Sequence, residues 1–204
     1  MPAPEVIAFA RASLPAAPAR VLEVGAGDGE LAGELRGAGY DVVAIDPSGG
    51  ADGVRQVALL DLDAPDGSFD AAIAVVSLHH VEPLGPSCER LARLVRPGGI
   101  LAVDELDVER LDERATAYWT AQRRAAGLEA PDDPAQMVAN MREHIHTLHD
   151  VVEALRPGFG LGEPVRGCYL HRWHLPPGLR DEEERLIAEG ELPATGARLV
   201  CVRR

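Results

Sequence analysis

Residues 20–35, RVLEVGAGDGELAGEL, constrain the fold more than any other stretch. An apolar run stops at Gly25, Gly27 and Gly29, and a helical pattern begins at once, with Leu31 and Leu35 four residues apart. Glycine at a strand end permits a sharp turn and lets a ligand approach the main chain. The helix that follows points unpaired N–H groups at that ligand. A strand, a glycine turn and a helix in this order open a parallel α/β sheet.

The next hundred residues continue the alternation. Strands are expected at 21–25, 41–46, 54–60, 69–78 and 100–106, with helices at 4–13, 28–39 and 86–95. PSGGADG (47–53) is too short and glycine-rich for a helix, and RPGG (96–99) stops the third one. After residue 106 the alternation fails. Residues 107–145 read as two helices separated by Pro131 and Pro134, a small cap carrying Tyr118, Trp119, Met137 and Met141. A helix over 147–159 starts at a capping box of Thr147 and Asp150. Strands at 167–175 and 197–204, with an acidic helix at 180–190 between them, complete the chain. DEEE (181–184) reads most simply as a solvated helix start. The 204 residues suit one domain: a ligand-binding half (1–106), the cap (107–145) and a C-terminal part (146–204) that completes the sheet and the acceptor side.

Composition excludes several partners. A net charge of −13 repels phosphate backbones, so no nucleic acid is expected. No apolar stretch is long enough to span a bilayer, and the first twenty residues, broken by Glu5, Arg11 and four prolines, lack a signal-peptide core. Cys88, Cys168 and Cys201 are odd in number and far apart, which suggests reduced thiols and a cytoplasmic protein. Seven histidines form neither an H-x-x-x-H pair nor a group with clustered carboxylates, so no metal is expected.

The acids around the glycines narrow the ligand. A dinucleotide fingerprint, G-x-G-x-x-G, requires glycine where Glu30 stands, and Asp28 at the helix start would repel a pyrophosphate. Asp28 and Glu30 also suit an ordinary first helical turn. Glu23 lies two residues before Gly25, Asp46 ends the second strand before Pro47, and Asp61 follows the third. Acids at the carboxyl ends of adjacent strands converge on one crevice. A ligand with adenine, ribose, an amine and a positive centre would suit it.

On VLEVGAGDGELA, VVAIDPS, LLDLDAPDGSFDAAIAVVSLHHV and LARLVRPGGILAVDEL, covering residues 20–106, the chain resembles the class I S-adenosylmethionine-dependent methyltransferases. The resemblance implies a doubly wound, mostly parallel seven-stranded sheet whose last strand is antiparallel, with helices on both faces. It implies S-adenosylmethionine as cofactor, with Glu23, Gly25, Ala26 and Gly27 along the methionine part. Asp46 and Pro47 would lie at the ribose, Asp61 and Leu62 at the adenine, and Ser77 beside the transferred methyl. His79 and His80 follow the fourth strand and are the candidate catalytic pair, as base or as positioning groups. Asp104 and Glu105 end the fifth strand and could orient one of them. The expected reaction is methyl transfer to a small-molecule acceptor. Methylation of a protein side chain and non-catalytic cofactor binding are the alternatives, and the oligomeric state is open.

Overall fold

The computed structural model describes residues 2–204. Five strands form the parallel part of one sheet: β1 (Arg20–Val24), β2 (Asp41–Ile45), β3 (Val54–Arg55), β4 (Phe69–Val75) and β5 (Val95–Leu106). β8 (Gly196–Arg203) lies antiparallel beside β5. β6 (Phe159–Leu161) and β7 (Val165–Gly167) both pair antiparallel with β8 and fill one edge position in two pieces. The order is β3-β2-β1-β4-β5-β8-β6, so eight strands occupy the seven positions expected. The order reverses direction beside β1, the kind of point where open α/β sheets form a crevice at their strand ends.

Alternation along the strands buries both faces. Leu22, Val24, Val43, Ile45, Ala72 and Leu101 pack on one side against α3 (Leu84–Leu94) and α6 (Leu148–Leu155). Val21, Val42, Ala44, Ala71 and Ile73 pack on the other against α1 (Pro4–Ser13) and α2 (Glu30–Gly37). The cap has its own core, built from α4 (Glu113–Ala125), α5 (Pro134–His144) and the segment around Leu170. Asp112 and Asp133 cap α4 and α5 by accepting from the N–H groups of Ala115 and Gln136, and the capping box of Thr147 and Asp150 forms at α6. α7 (Arg180–Ala188) precedes β8.

Four expected strands change their bounds by more than one residue. β3 shrinks from seven residues to Val54 and Arg55 at the sheet edge, and Leu59–Asp61 forms a 3₁₀ turn. β5 begins at Val95, with residues 96–99 bulging out of the ladder between its Phe69 and Ala71 partners. β4 ends at Val75 rather than at residue 78, because Glu105 takes the N–H groups of Ser77 and Leu78. The strand expected over 167–175 stops at Gly167, because Glu183 takes the N–H groups of Tyr169 and Leu170 that a ladder would need. Glu183, read as part of a solvated helix start, is fully buried.

Candidate functional site

The glycine turn connects β1 to α2. Gly25 and Gly27 have φ of +71° and +53°, a region L-residues avoid. A Cβ on Gly25 would also stand 2.3 Å from the Ser77 Cβ, so the turn and the end of β4 touch only because that side chain is missing. Ser77 fastens the contact by donating its hydroxyl to the Val24 carbonyl (2.7 Å). Asp28 accepts from the Glu30 N–H (3.1 Å), the ordinary work of an acid at a helix start.

Asp46 stands at the end of β2 and is held from both sides. Gly27 N–H donates to its Oδ2 (2.9 Å) and Ser48 N–H to its Oδ1 (2.8 Å). Each carboxylate oxygen keeps further acceptor capacity for a diol. A cleft of about 590 Å³ runs past it. Gly25, Gly27, Asp46, Pro47 and Ser77 all line this cleft. Asp61 and Leu62 do not. The 3₁₀ turn leaves Asp61 exposed and sends Leu62 into the core, and Val57, Ala58 and Leu59 form the wall instead. Ala26 points away into the α2 core. Glu23 is buried with Oε2 unpaired, and burial raises its pKa to about 7, moderated by Arg36 and reinforced by Asp28.

The end of β4 carries the histidines. Val76 has a φ of +51°, a conformation a β-branched residue adopts only where surrounding contacts impose it. Its N–H donates to the Asp104 carbonyl at 2.7 Å. The next turn is organised by Glu105, itself buried at the end of β5. Oε1 accepts from Ser77 N–H (3.0 Å) and Leu78 N–H (2.7 Å), and Oε2 meets His79 Nδ1 at 2.6 Å. Glu105 thus orients His79. The His80 ring lies 4.1 Å from the His79 ring, centroid to centroid. Lost hydration and then the neighbouring His79 lower the His80 pKa, against an opposing pull from Glu105.

A second cavity, about 600 Å³, lies between these histidines and α5. His79, His80, Met137, Met141 and Ile145 contribute to its wall, with His144 at the rim. His80 alone lines both this cavity and the cleft. Trp119 stacks on Trp173 (4.4 Å) inside the cap core, with Tyr118 packed against that core. One group of possible metal ligands occurs among the described residues: Cys168, His171 and Glu183, with ligand atoms within 4.8 Å. Both ring nitrogens of His171 already meet carboxylates, Nδ1 with Glu183 (2.8 Å) and Nε2 with Glu5 (2.6 Å). Glu183 carried no signal in the sequence, because a buried acid inside an acidic run looks like its solvated neighbours.

An open sheet with a glycine turn, an acid ending β2 and a cleft at the parallel strand ends defines a nucleoside-binding α/β protein. Residues 3–149 match the model of the methyltransferase domain family, and the chain belongs to that family, on the class I S-adenosylmethionine-dependent fold. Among curated proteins it is similar to an uncharacterized methyltransferase of Mycobacterium tuberculosis, 39% identical over 44% of this chain and 41% of that one. Another from the same organism is 28% identical over 76% of this chain and 87% of its own length. The demethylmenaquinone methyltransferase of Beutenbergia cavernae is 38% identical over 42% of this chain and 40% of that enzyme. The chain therefore spans about two fifths of the first of these relatives. Among solved structures, an S-adenosylmethionine-dependent methyltransferase from Mesorhizobium loti superposes with a TM-score of 0.61 at 21% identity, over 100% of this chain and 99% of that one. A [4+2]-cyclase, SpnF, also superposes with 0.61 at 20% identity, over 97% of this chain and 79% of that one.

Proposed function

We propose that this chain transfers a methyl group from S-adenosylmethionine to a small-molecule acceptor. The observation that carries the reading is the junction at His80, the one side chain shared by the cleft beside Asp46 and the cavity under α5. The residues present fit the cofactor. Asp46 is held ready for a ribose, Gly25 leaves room at the floor, and Glu23 has an unpaired buried oxygen for an amine. When bound, S-adenosylmethionine supplies a methyl on a sulfonium, whose sulfur leaves as a neutral thioether.

The chain's own work is alignment and the exclusion of water, which supply much of the barrier reduction in a direct displacement. Val57, Ala58 and Leu59 offer an apolar wall for the adenine in place of Asp61 and Leu62. Ser77, tied to Val24, supports the floor beside the methyl position. Met137, Met141 and Ile145 favour an apolar acceptor with adaptable packing. With Nδ1 of His79 committed to Glu105, its Nε2 is the atom left to serve the acceptor cavity. His80 sits where acceptor and cofactor meet, as a positioning group for the acceptor. No role is assigned to a divalent metal or to a nucleic acid. No helix among the described residues is long and apolar enough to cross a membrane. The unpaired Cys88, Cys168 and Cys201 support a reducing, cytoplasmic setting.

A second reading has its own support. The likeness to a cyclase means that this fold also carries chemistry other than methyl transfer, so the cofactor site and turnover need separate tests. Calorimetry with S-adenosylhomocysteine and with NAD tests the first. S-adenosylhomocysteine is expected to bind, NAD is not, and Asp46→Ala is expected to weaken binding by about 1.5–3 kcal/mol, roughly ten- to a hundredfold. Binding of NAD alone would overturn the assignment. Binding without methyl transfer to any of a broad panel of apolar hydroxyl, amine and thiol acceptors would favour the non-catalytic reading.

A further inference from the structure

The C-terminal part carries a cluster of donor side chains, none of which lines the cleft or the cavity under α5. Cys168 and His171 stand two residues apart in the chain, and the 3₁₀ turn Leu170–Arg172 presents both to Glu183 of α7. The Cys168 sulfur, a His171 ring nitrogen and a Glu183 carboxylate oxygen all lie within 4.8 Å of one another. Glu183 is fully buried, whereas Cys168 reaches the wall of a cavity of about 290 Å³, together with Glu5, Arg180 and Glu184. The cluster therefore has a closed back and a way in from solvent.

We propose that Cys168 Sγ, His171 Nδ1 and Glu183 Oε2 bind a zinc ion, at a site that takes no part in methyl transfer. One sulfur, one imidazole nitrogen and one carboxylate oxygen are a zinc donor set; calcium and magnesium take oxygen donors instead.

The geometry is close to what the ion needs. Nδ1 and Oε2 are 2.8 Å apart. Zinc bonds at tetrahedral angles put two such atoms about 3.3 Å apart, so ring and carboxylate need to part by only about 0.5 Å. Both ligands are already oriented by outer partners, as metal ligands require. Glu183 Oε1 accepts from Tyr169 N–H (2.8 Å) and Leu170 N–H (2.9 Å), and Oε2 accepts from His171 N–H (2.7 Å). His171 Nε2 meets Glu5 Oε1 at 2.6 Å, which keeps a proton on that nitrogen and leaves Nδ1 for the metal. The fourth position faces the cavity, where Glu184 Oε1 lies 3.8 Å from Sγ, against about 3.5 Å for a sulfur and an oxygen on one zinc. Arg180 Nη2 bonds the same Glu184 oxygen at 2.6 Å, so this is the weakest of the four ligands.

The charges also balance. Zinc displaces one proton from His171 and one from Cys168, two positive charges for two, so the net charge of the cluster stays the same. In the zinc-free chain a proton on His171 holds the ring between Glu183 and Glu5 instead.

Cobalt(II) reports such a site by its colour, on a reduced chain freed of metal with a chelator. One equivalent is expected to give the visible absorption of a tetrahedral ion and a near-ultraviolet thiolate-to-cobalt band. Zinc should bleach both, with a Kd of about 1 μM or tighter. Cys168→Ser should lose the near-ultraviolet band, and Cys88→Ser, which alters a buried thiol outside the cluster, should keep it. Glu5→Gln should weaken zinc binding about ten- to a hundredfold. A wild-type chain without the near-ultraviolet band, or with a zinc Kd above about 100 μM, overturns the proposal. So does a Cys168→Ser chain that keeps the band, since the thiolate is then Cys88 or Cys201. If that variant does not fold, alkylation of the folded wild type decides. Zinc should slow the reaction of Cys168 with iodoacetamide, read by peptide mass spectrometry, and equal rates with and without zinc overturn the site.

Discussion

The turn at Ser77, Leu78 and His79 and the turn at Tyr169, Leu170 and His171 share one construction. Ser77 and Tyr169 have nearly the same backbone, φ/ψ of −136/−34 and −144/−33. In each a buried glutamate accepts two consecutive N–H groups with one oxygen and meets the histidine Nδ1 with the other. In each the residue after the histidine, His80 or Arg172, lines a cavity. The difference is the number of carboxylates around the ring. His79 has Glu105 alone, and its ring reaches the cavity under α5. His171 has Glu183 on one nitrogen and Glu5 on the other, which ties α1, the C-terminal segment and α7 together. Burial alone would lower the His171 pKa, but bonds to Cys168, Glu183 and Glu5 reverse this and raise it to about 10. One carboxylate orients an imidazole for use; two convert it into a cationic clamp.

The largest expected effect is loss of the clamp. Glu183→Ala leaves the N–H groups of Tyr169, Leu170 and His171 without their acceptor and takes from the imidazolium one of its two carboxylates. Breaking a buried ionic group in this way costs about 3–5 kcal/mol, to be read from urea unfolding. A cost below about 1 kcal/mol, the scale of an exposed pair, would show that the two turns are not built for different loads.

The clamp also has a pH signature. His171 has a folded pKa near 10 against an ordinary 6.5, so its contribution is complete below about pH 6.5 and is lost as pH rises through 10. On the order of 3 kcal/mol should disappear across that window in the wild type and not in His171→Gln. Glu5, Glu183, Cys168, Arg172, Arg180, Glu184 and, across Glu183, Tyr118 are the charged or titratable groups around the clamp, and the chain has no lysine to titrate over the same range. Parallel alkaline profiles for the two proteins would remove the imidazolium from the account.

Glu23 offers a smaller effect of opposite sign. Its folded pKa, about 7, lies above the ordinary 4.5, so the folded chain holds this proton more tightly and the acid costs stability as pH rises from 4.5 to 7. Glu23→Gln should therefore stabilise the unliganded chain by about 1–3 kcal/mol at neutral pH and by little at pH 4. Thermal melts at both values check it. A destabilised variant at neutral pH would mean that Glu23 supports the fold rather than a ligand.

How much of this was legible in the sequence follows the range of the forces. The alternation, the glycine turn and Asp46 are local, and they appear where the pattern of residues 20–106 puts them. The capping box at Thr147 is local too. What the sequence did not show depends on pairings over distance. Asp61 reads as a strand-end acid until three residues of 3₁₀ turn carry it out of the cleft. GCYLHRWHL has the composition of a strand, and only the arrival of Glu183, fourteen residues beyond Tyr169, withdraws its N–H groups from the ladder. Nothing in DEEE distinguishes the buried acid from the exposed ones. A repeated Leu-His preceding His80 and Arg172 was the one visible trace of the shared turn.

The smallest expected effect concerns His80 and decides what the first turn delivers. Its lowered pKa keeps the ring neutral at pH 7, able to accept a hydrogen bond from an acceptor hydroxyl or to take its proton. The geometry favours the first. Glu105 holds His79, not His80, so the exposed ring at the junction has no buried anion in contact to stabilise an imidazolium as the proton arrives. Its contact with His79 opposes protonation further. With an acceptor that the wild type turns over, His80→Asn should raise KM about tenfold, some 1.4 kcal/mol. It should leave kcat nearly unchanged, because asparagine keeps a polar group at the junction. Affinity for S-adenosylhomocysteine should stay at the wild-type level, since Asp46 and the glycine turn are untouched. A fall in kcat of about a hundredfold or more, with an acid limb present in the wild type and absent in the variant, would make His80 the base. The two turns would then differ not only in how many carboxylates surround the histidine but in whether the residue after it reacts or only holds.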